Sequence, residues 1–283
     1  MFYPLAQLPF IPYVHSGKDV IFLFYIFLRV SGIFILSPLF GNKNISAQVR
    51  ILLAVFLSVL ISMILYDDYR GLSPKYVLNE IQSDTNFSLI ELAFTSVKEF
   101  FIGYLIGFLL SIILESLLFA AQSTSIMMGF SMSRMIDPIS GTTQTIIGQL
   151  YMILATLIIL SLDIHHTLIR IAIESFSLAP IGNYSLSEEP LYYVISGSNR
   201  MLQYALQYAS IPYAIIFLVT IGLGFMAKIM PEMNIFMVGF PLKIFVGYYS
   251  LIIAIRFFPS LIKQAFTEYE GIVKIVLRII HSG

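Results

Sequence analysis

Cysteine is absent from the 283 residues, which removes disulfides, thiol nucleophiles and thiolate metal sites together. Tryptophan is absent too, so the aromatic anchoring of a membrane interface falls to the 17 tyrosines and some of the 24 phenylalanines. Charge is scarce: Asp, Glu, Lys and Arg make up 11% of the chain, well below the roughly 25% of soluble domains. The 16 basic and 16 acidic residues cancel, which argues against a nucleic acid or an acidic surface as partner. No HExxH pair, nucleophile elbow, Walker loop or dinucleotide fingerprint occurs, so neither catalysis nor a cofactor has a motif to rest on. The opening MFYPLAQLPFIPYV has no basic region ahead of its apolar residues and is not expected to act as a cleavable secretion signal.

What is present is apolar: 58% of the residues are hydrophobic. Six stretches, near 20–40, 49–66, 97–122, 144–162, 204–227 and 234–258, approach or exceed the length of about 20 residues that a helix needs to cross hydrocarbon. The expectation is an all-α integral membrane protein with about six long apolar helices, residues 1–283 forming one membrane domain. Two polar connections interrupt the pattern, DDYRGLSPKYVLNEIQSDTN after the second stretch and NYSLSEEPLYYVISGSNR before the fifth. Both carry turn residues, Gly71 and Pro74 in one, Glu188, Glu189, Pro190 and Gly197 in the other, and both are too short to be domains. Neither a 20–50-residue repeat nor a low-complexity tract is present.

Several residues do not suit lipid. Arg29 and Glu115 lie well inside apolar stretches. A charge at the bilayer centre costs roughly 2.5–3.5 kcal/mol on insertion scales, so each is expected to meet a partner or water. Gly103 and Gly107 have GxxxG spacing, which lets two helix backbones approach closely, although Gly-rich membrane helices also produce it by chance. Pro231 should end a helix, making an antiparallel hairpin with Lys228 and Glu232 at its tip, and Pro241 should break or kink the return helix. Lys243 could then donate to carbonyls freed by Pro241 or simply snorkel. Asp163, His165 and His166 form the one cluster with metal or proton chemistry. Adjacent histidines diverge by about 100° on a helix, so the cluster reads as a polar helix end at the membrane surface, with no metal site.

The tract MGFSMSRMIDPISG, residues 128–141, separates two apolar stretches. Gly129 and Gly141 bracket it, and Asp137 before Pro138 favours a turn. It reads as a non-helical loop, either exposed on the surface or held at membrane depth where protein or water covers it. In the second case Met127, Met128, Met132 and Met135 supply flexible side chains suited to a deformable seal.

Taken in order, Glu99 with the glycines of EFFIGYLIGF, Glu115, MGFSMSRMIDPISG, GQLYMILATLIILSLDIHHTLIR and MPEMNIFMVGFPLKIFVG resemble the FliR family of flagellar biosynthesis proteins. The resemblance covers nearly the whole chain and is most specific in the Asp-Pro loop followed by Pro231-x-x-Asn234-x-Phe236 and Gly239-x-Pro241-x-Lys243. Ala121, Ser125 and Met127 depart from the family's pattern of small and polar residues ahead of the loop.

The resemblance implies a non-enzymatic subunit of the type III secretion export gate in the bacterial inner membrane, at the flagellar basal body. It implies a four-helix, FliP-like part over 1–200 and a FliQ-like helical hairpin over 201–283. The implied partners are FliP-type and FliQ-type subunits, an FlhB-type protein, membrane lipid and unfolded flagellar export substrates. On this basis Met128, Gly129, Phe130, Met132, Arg134, Met135, Asp137 and Pro138 belong to a pore plug spanning 127–141. Arg29, Glu99, Gly103, Gly107 and Glu115 would serve helix packing or subunit interfaces, and Lys228, Pro231, Glu232, Asn234, Pro241 and Lys243 the hairpin. The same subunit of an injectisome is a close alternative. A small-solute transporter, with Glu115 and Arg29 at a midplane site, or a poreless scaffold are more distant ones. The basic residues Lys263, Lys274 and Arg278 favour a cytoplasmic C-terminus.

Overall fold

The computed structural model describes residues 17–36, 46–71, 89–130, 145–182, 189–232 and 234–282. These form eight helices: α1 Gly17–Leu36, α2 Ala47–Gly71, α3 Leu89–Met128, α4 Ile146–Ser161, α5 Ile164–Leu178, α6 Glu189–Ile229, α7 Ile235–Ile255 and α8 Phe258–Ser282. No strand occurs among the described residues. Among the described residues four stretches, Ala47–Leu65, Ile90–Met128, Ile195–Ile229 and Ile235–Ile255, are long and apolar enough to cross a membrane, or five if the bent pair Ile146–Ser161 and Ile164–Leu178 is one span. The all-α membrane class follows from one constraint: in hydrocarbon every backbone N–H and C=O must find its partner inside the chain, which a helix achieves by itself.

The helices are longer than the hydropathy pattern predicts. The third stretch, expected over 97–122, runs from Leu89 to Met128, 40 residues. The polar connection expected before the fifth stretch is helical from Glu189 onward, so that α6 has 41 residues. Pro190 fits there because a helix's first turn leaves its N–H groups unbonded in any case. At about 1.5 Å per residue, α3 and α6 are each about 60 Å long, twice the thickness of a hydrocarbon core. Their polar ends are helical extensions beyond any single crossing.

Two helices were hidden from hydropathy. The chain turns at Asp163, whose φ is +54°, and resumes as α5. After Arg256 it enters α8, whose buried residues Ile262, Ala265, Phe266, Tyr269, Val273, Val276, Leu277 and Ile280 recur at helical spacing. Lys263, Gln264, Thr267 and Arg278 face outward. That amphipathic pattern marks a helix lying on protein with one side in water.

The chain clusters into two units that interleave along the sequence. One comprises Met1–Ser111, His166–Val194 and Glu270–Gly283; the other comprises Ile112–His165 and Ile195–Tyr269. In the first unit α1 and α3 touch backbone to backbone. A Cβ on Gly103 would overlap the carbonyl oxygen of Arg29, and one on Gly107 would stand 2.7 Å from the carbonyl oxygen of Ile33. From the α1 side, a Cβ on Gly32 would lie 2.5 Å from the carbonyl oxygen of Phe100. The GxxxG pair therefore packs within the chain, against α1, as small residues permit. Lys274 of α8 also belongs to this unit, 2.9 Å from Glu174 of α5 and 2.8 Å from Glu270. Those carboxylates hold its ammonium above the usual lysine range, Glu270 foremost.

The second unit is centred on aromatic rings. Phe258, at the start of α8, meets Tyr151 of α4 edge-on with centroids 4.9 Å apart and Tyr208 of α6 edge-on at 5.9 Å. On its surface Glu268 accepts from Tyr204 at 2.5 Å and from Arg200 at 3.1 Å.

The backbone contact in the first unit makes a prediction. Gly103→Ala should separate α1 from α3 and destabilise the detergent-solubilised chain by at least about 1–3 kcal/mol, the usual range for overpacking. Gly271→Ala, whose Cβ would enter open space, should be neutral or stabilising by up to about 1 kcal/mol. Thermal unfolding of the two variants in the same detergent checks the contrast.

Candidate functional site

In the first unit, Arg29 and Glu99 have no exposed side-chain surface. The Arg29 Nε donates to Glu99 Oε2 at 2.7 Å, and Nη2 lies 2.7 Å from the same oxygen. Nη1 donates to the Ser175 backbone carbonyl at 2.8 Å, while the guanidinium carbon sits 4.3 Å from the centre of the Phe176 ring. One cation thus joins three helices, α1, α3 and α5, through an ion pair, a charge-assisted hydrogen bond and a ring face. Of the two charges expected to meet a partner or water, Arg29 finds its partner in Glu99, and Glu115 is not part of this pair.

The helical repeat explains why the pair and the glycines coincide. Glu99, Gly103 and Gly107 follow at i, i+4 and i+8 on α3; Arg29, Gly32 and Ile33 follow at i, i+3 and i+4 on α1. Each helix therefore presents its charge and its missing side chains on one face, and the close approach that glycine permits excludes water from the pair. Gly32, Ser175 and Phe176 escaped the sequence reading. For Gly32 the signal was available: a glycine three residues after an arginine inside an apolar helix.

In the second unit, α3 ends where MGFSMSRMIDPISG begins. The Gly129 N–H donates to the Ile126 carbonyl at 3.0 Å and the Phe130 N–H to the Ser125 carbonyl at 3.1 Å, and Gly129 has φ +97°. This is a Schellman ending, in which a left-handed residue lets two N–H groups cap the helix's free carbonyls. Gly129 thus terminates α3. A Cβ on Gly129 would collide with the Phe240 ring of α7. Met128 is fully buried and fills the space left by Gly247, where a Cβ would come within 2.5 Å of its Cε. Phe130 stands edge-on to Tyr248 at 6.3 Å. The first three residues of the tract are therefore rooted on α7, along Phe240, Gly247 and Tyr248. Met132, Arg134, Met135, Asp137 and Pro138 lie outside the described residues.

The hairpin turns at Pro231 and Glu232, both exposed, between α6 and α7. Asn234 is the N-cap of α7, its side chain accepting from the Met237 N–H at 3.4 Å. Lys228 lies in the last turn of α6, where the helix dipole favours a cation. Leu223 meets Gly239 across the turn. Of the break or kink expected at Pro241, the break does not occur: α7 is continuous from Ile235 to Ile255. Pro241 is only the seventh residue of that helix, so a single carbonyl, that of Met237, loses its donor, and Met237 is exposed. Among the described residues Lys243 donates to no carbonyl. Glu115 is exposed near the middle of α3. The structure thus joins Arg29 to Glu99, and Met128, Gly129 and Phe130 to α7, and leaves Glu115 outside both groups.

Residues 20–269 match the model of the family described as Bacterial export proteins, family 1. The chain is similar to the Flagellar biosynthetic protein FliR of Bacillus subtilis (strain 168), 30% identical over 246 residues, 86% of this chain and 89% of the relative. The chain belongs to the FliR family of bacterial export proteins. More divergent relatives of the same name include that of Escherichia coli (strain K12), 22% identical over 79% of this chain and 80% of the relative. That of Aquifex aeolicus (strain VF5) is 21% identical over 90% and 93%. Arg29, Glu99, Glu115, the root at 128–130 and the whole α6–α7 hairpin fall inside the family match.

The buried pair sets a second prediction. Arg29→Met or Glu99→Leu alone leaves an uncompensated buried charge and should destabilise the chain by about 3–5 kcal/mol, whereas the double replacement should recover most of that loss. A double-mutant cycle on thermal unfolding in detergent measures the coupling; additive effects would mean that the two charges do not depend on each other.

Proposed function

We propose that this chain is a subunit of the flagellar type III export gate, forming with FliP-type and FliQ-type partners, beside an FlhB-type protein, the pore through which unfolded flagellar subunits leave the cytoplasm. The observation that carries the reading is the family match over residues 20–269 together with the Bacillus subtilis relative, a protein named as a flagellar biosynthetic protein. In this reading the chain works by shape and catalyses nothing, and it is a multi-pass protein of the bacterial inner membrane. Residues 1–200 act as the FliP-like part and 201–283 as the FliQ-like part.

The tract 127–141 is the pore plug. Two features support that assignment. Gly129 ends α3 with a defined geometry, so the tract leaves a rigid helix at a fixed point. Met128, Gly129 and Phe130 are packed on α7, which anchors the near end of a segment that must deform without detaching. The methionines at 132 and 135 then supply the compliant apolar surface, with Asp137 and Pro138 forming a turn. The injectisome alternative has less support, since the relatives described above are all named as flagellar. Of the two charges that a small-solute transporter would use at a midplane site, Arg29 is taken up by Glu99 and Glu115 faces outward.

Co-expression with the FliP-type and FliQ-type subunits from the same genome is expected to yield a detergent-stable complex, and expression alone an unstable or aggregated chain. Recovery of a well-behaved monomer that binds a small solute would overturn the gate reading. In the assembled complex, deletion of residues 130–136 is expected to make membranes leak small solutes, measured by dye or ion efflux; an intact barrier would sink the plug assignment.

A further inference from the structure

Glu115 lies inside a long uncharged run: fifteen uncharged residues separate it from Glu99 and eighteen from Arg134. Almost every other residue between Ile112 and Met128 is buried or half-buried, and the exceptions share a narrow stripe. Glu115, Phe119, Gln122 and Ile126 follow at spacings of four, three and four, which keeps them within about 40° of one line along the helix. Phe119 and Ile126 are exposed with Glu115, and Gln122 is half-buried.

Among the described residues Glu115 has no hydrogen bond and no ion pair. One turn away on either side are Ser111, Ile112, Leu118 and Phe119, and the Ser111 hydroxyl already donates to the Phe108 carbonyl at 2.7 Å. Lipid is an unfavourable neighbour, because an ionised carboxylate in hydrocarbon costs roughly 2.5–3.5 kcal/mol on insertion scales with no compensating contact. A wet lumen wall is disfavoured by the company the carboxylate keeps, since phenylalanine and isoleucine flank it along the same stripe.

We propose that the stripe Glu115–Phe119–Gln122–Ile126 is a dry docking seam for a helix of a neighbouring gate subunit, and that this helix brings a lysine or arginine to Glu115. The inference rests on the gate reading above and adds to it the surface and the chemistry of one contact. Charge complementarity selects the occupant: the carboxylate needs a cation in an apolar setting, and Phe119 and Ile126 need an apolar helix face on either side of it. Gln122 offers a hydrogen bond along the same line. A desolvated pair of this kind fixes register, because shifting the partner leaves both charges unpaired.

The test uses the full chain co-expressed with its FliP-type and FliQ-type subunits, with the complex recovered through a tag on this chain. Glu115→Lys should lower recovery of the partners at least tenfold, and Glu115→Gln should lower it less. Glu-for-Lys or Glu-for-Arg changes, scanned through the apolar helices of the partners, should restore the complex with Glu115→Lys at one position and at no other. The amount of chain in the membrane, compared with wild type, separates misfolding from lost docking, and one-position rescue can arise only from docking. Equal partner recovery for wild type and Glu115→Lys would overturn the seam, as would an absence of rescue at every cation. Failure of the wild-type chain to co-purify at all would instead overturn the gate reading on which the seam rests.

Discussion

The first unit depends on what a desolvated arginine demands. Arg29 is wholly buried in apolar surroundings, where an unpaired guanidinium would be prohibitive. Its requirements are met from two directions, by the Glu99 carboxylate and by the Ser175 carbonyl, and the Phe176 ring covers one face. Because those partners lie on different helices, the charge cannot be satisfied unless α1, α3 and α5 are all in place. The glycines at 32, 103 and 107 follow from the same demand. They bring the α1 and α3 backbones together so that short-range contacts replace lost hydration. A buried pair of this sort adds little net stability compared with a hydrophobic replacement, but it penalises every other arrangement of the helices it joins.

The second unit is organised by shape. Its centre is a set of edge-on rings, and its distinctive join is between the end of α3 and α7, where Met128 occupies the room that Gly247 leaves. A glycine facing a methionine makes a tolerant joint, since the flexible thioether can follow small movements of α7 without opening a void. The Schellman ending at Gly129 is the rigid counterpart, holding the chain direction at the point where α3 stops. Rigid exit and compliant seat together suit the plug role proposed for the tract that follows.

Much of this was legible in the residues, and what was not has physical reasons. Apolar stretches located the helices because hydropathy reports the solvent, and GxxxG spacing located the α1–α3 contact on one of its two sides. The ends of α3 and α6 were missed because polar residues at helix termini resemble a connection when only hydropathy is read; Glu189 and Pro190 are as suited to a first helical turn as to a loop. Residues 258–282 were missed as a helix for the opposite reason: their signal is periodicity, with Ile262, Phe266, Tyr269, Val273, Val276 and Ile280 on one face. The break allowed for at Pro241 is absent because the helix tolerates the loss of one hydrogen bond, and the carbonyl left without its donor belongs to the exposed Met237. The pairing of Arg29 with Glu99, seventy residues apart, could not be read locally, although the need for a partner could.

Hydropathy also fails to separate lipid-facing helices from helices buried in protein. The four stretches long enough to span are similarly apolar, yet most of the one in α3 is buried within the protein, whereas those in α2, α6 and α7 are mostly uncovered. Apolar side chains are equally at home in both settings, so their abundance cannot tell a central strut from a surface. Polar and missing side chains can. On α3, Glu99 and the glycines mark the side turned into the chain, while Glu115 marks the side turned out of it. The rare residues that lipid would reject therefore carry the directional information that their apolar neighbours cannot, and the mechanism of a chain like this one has to be read from them.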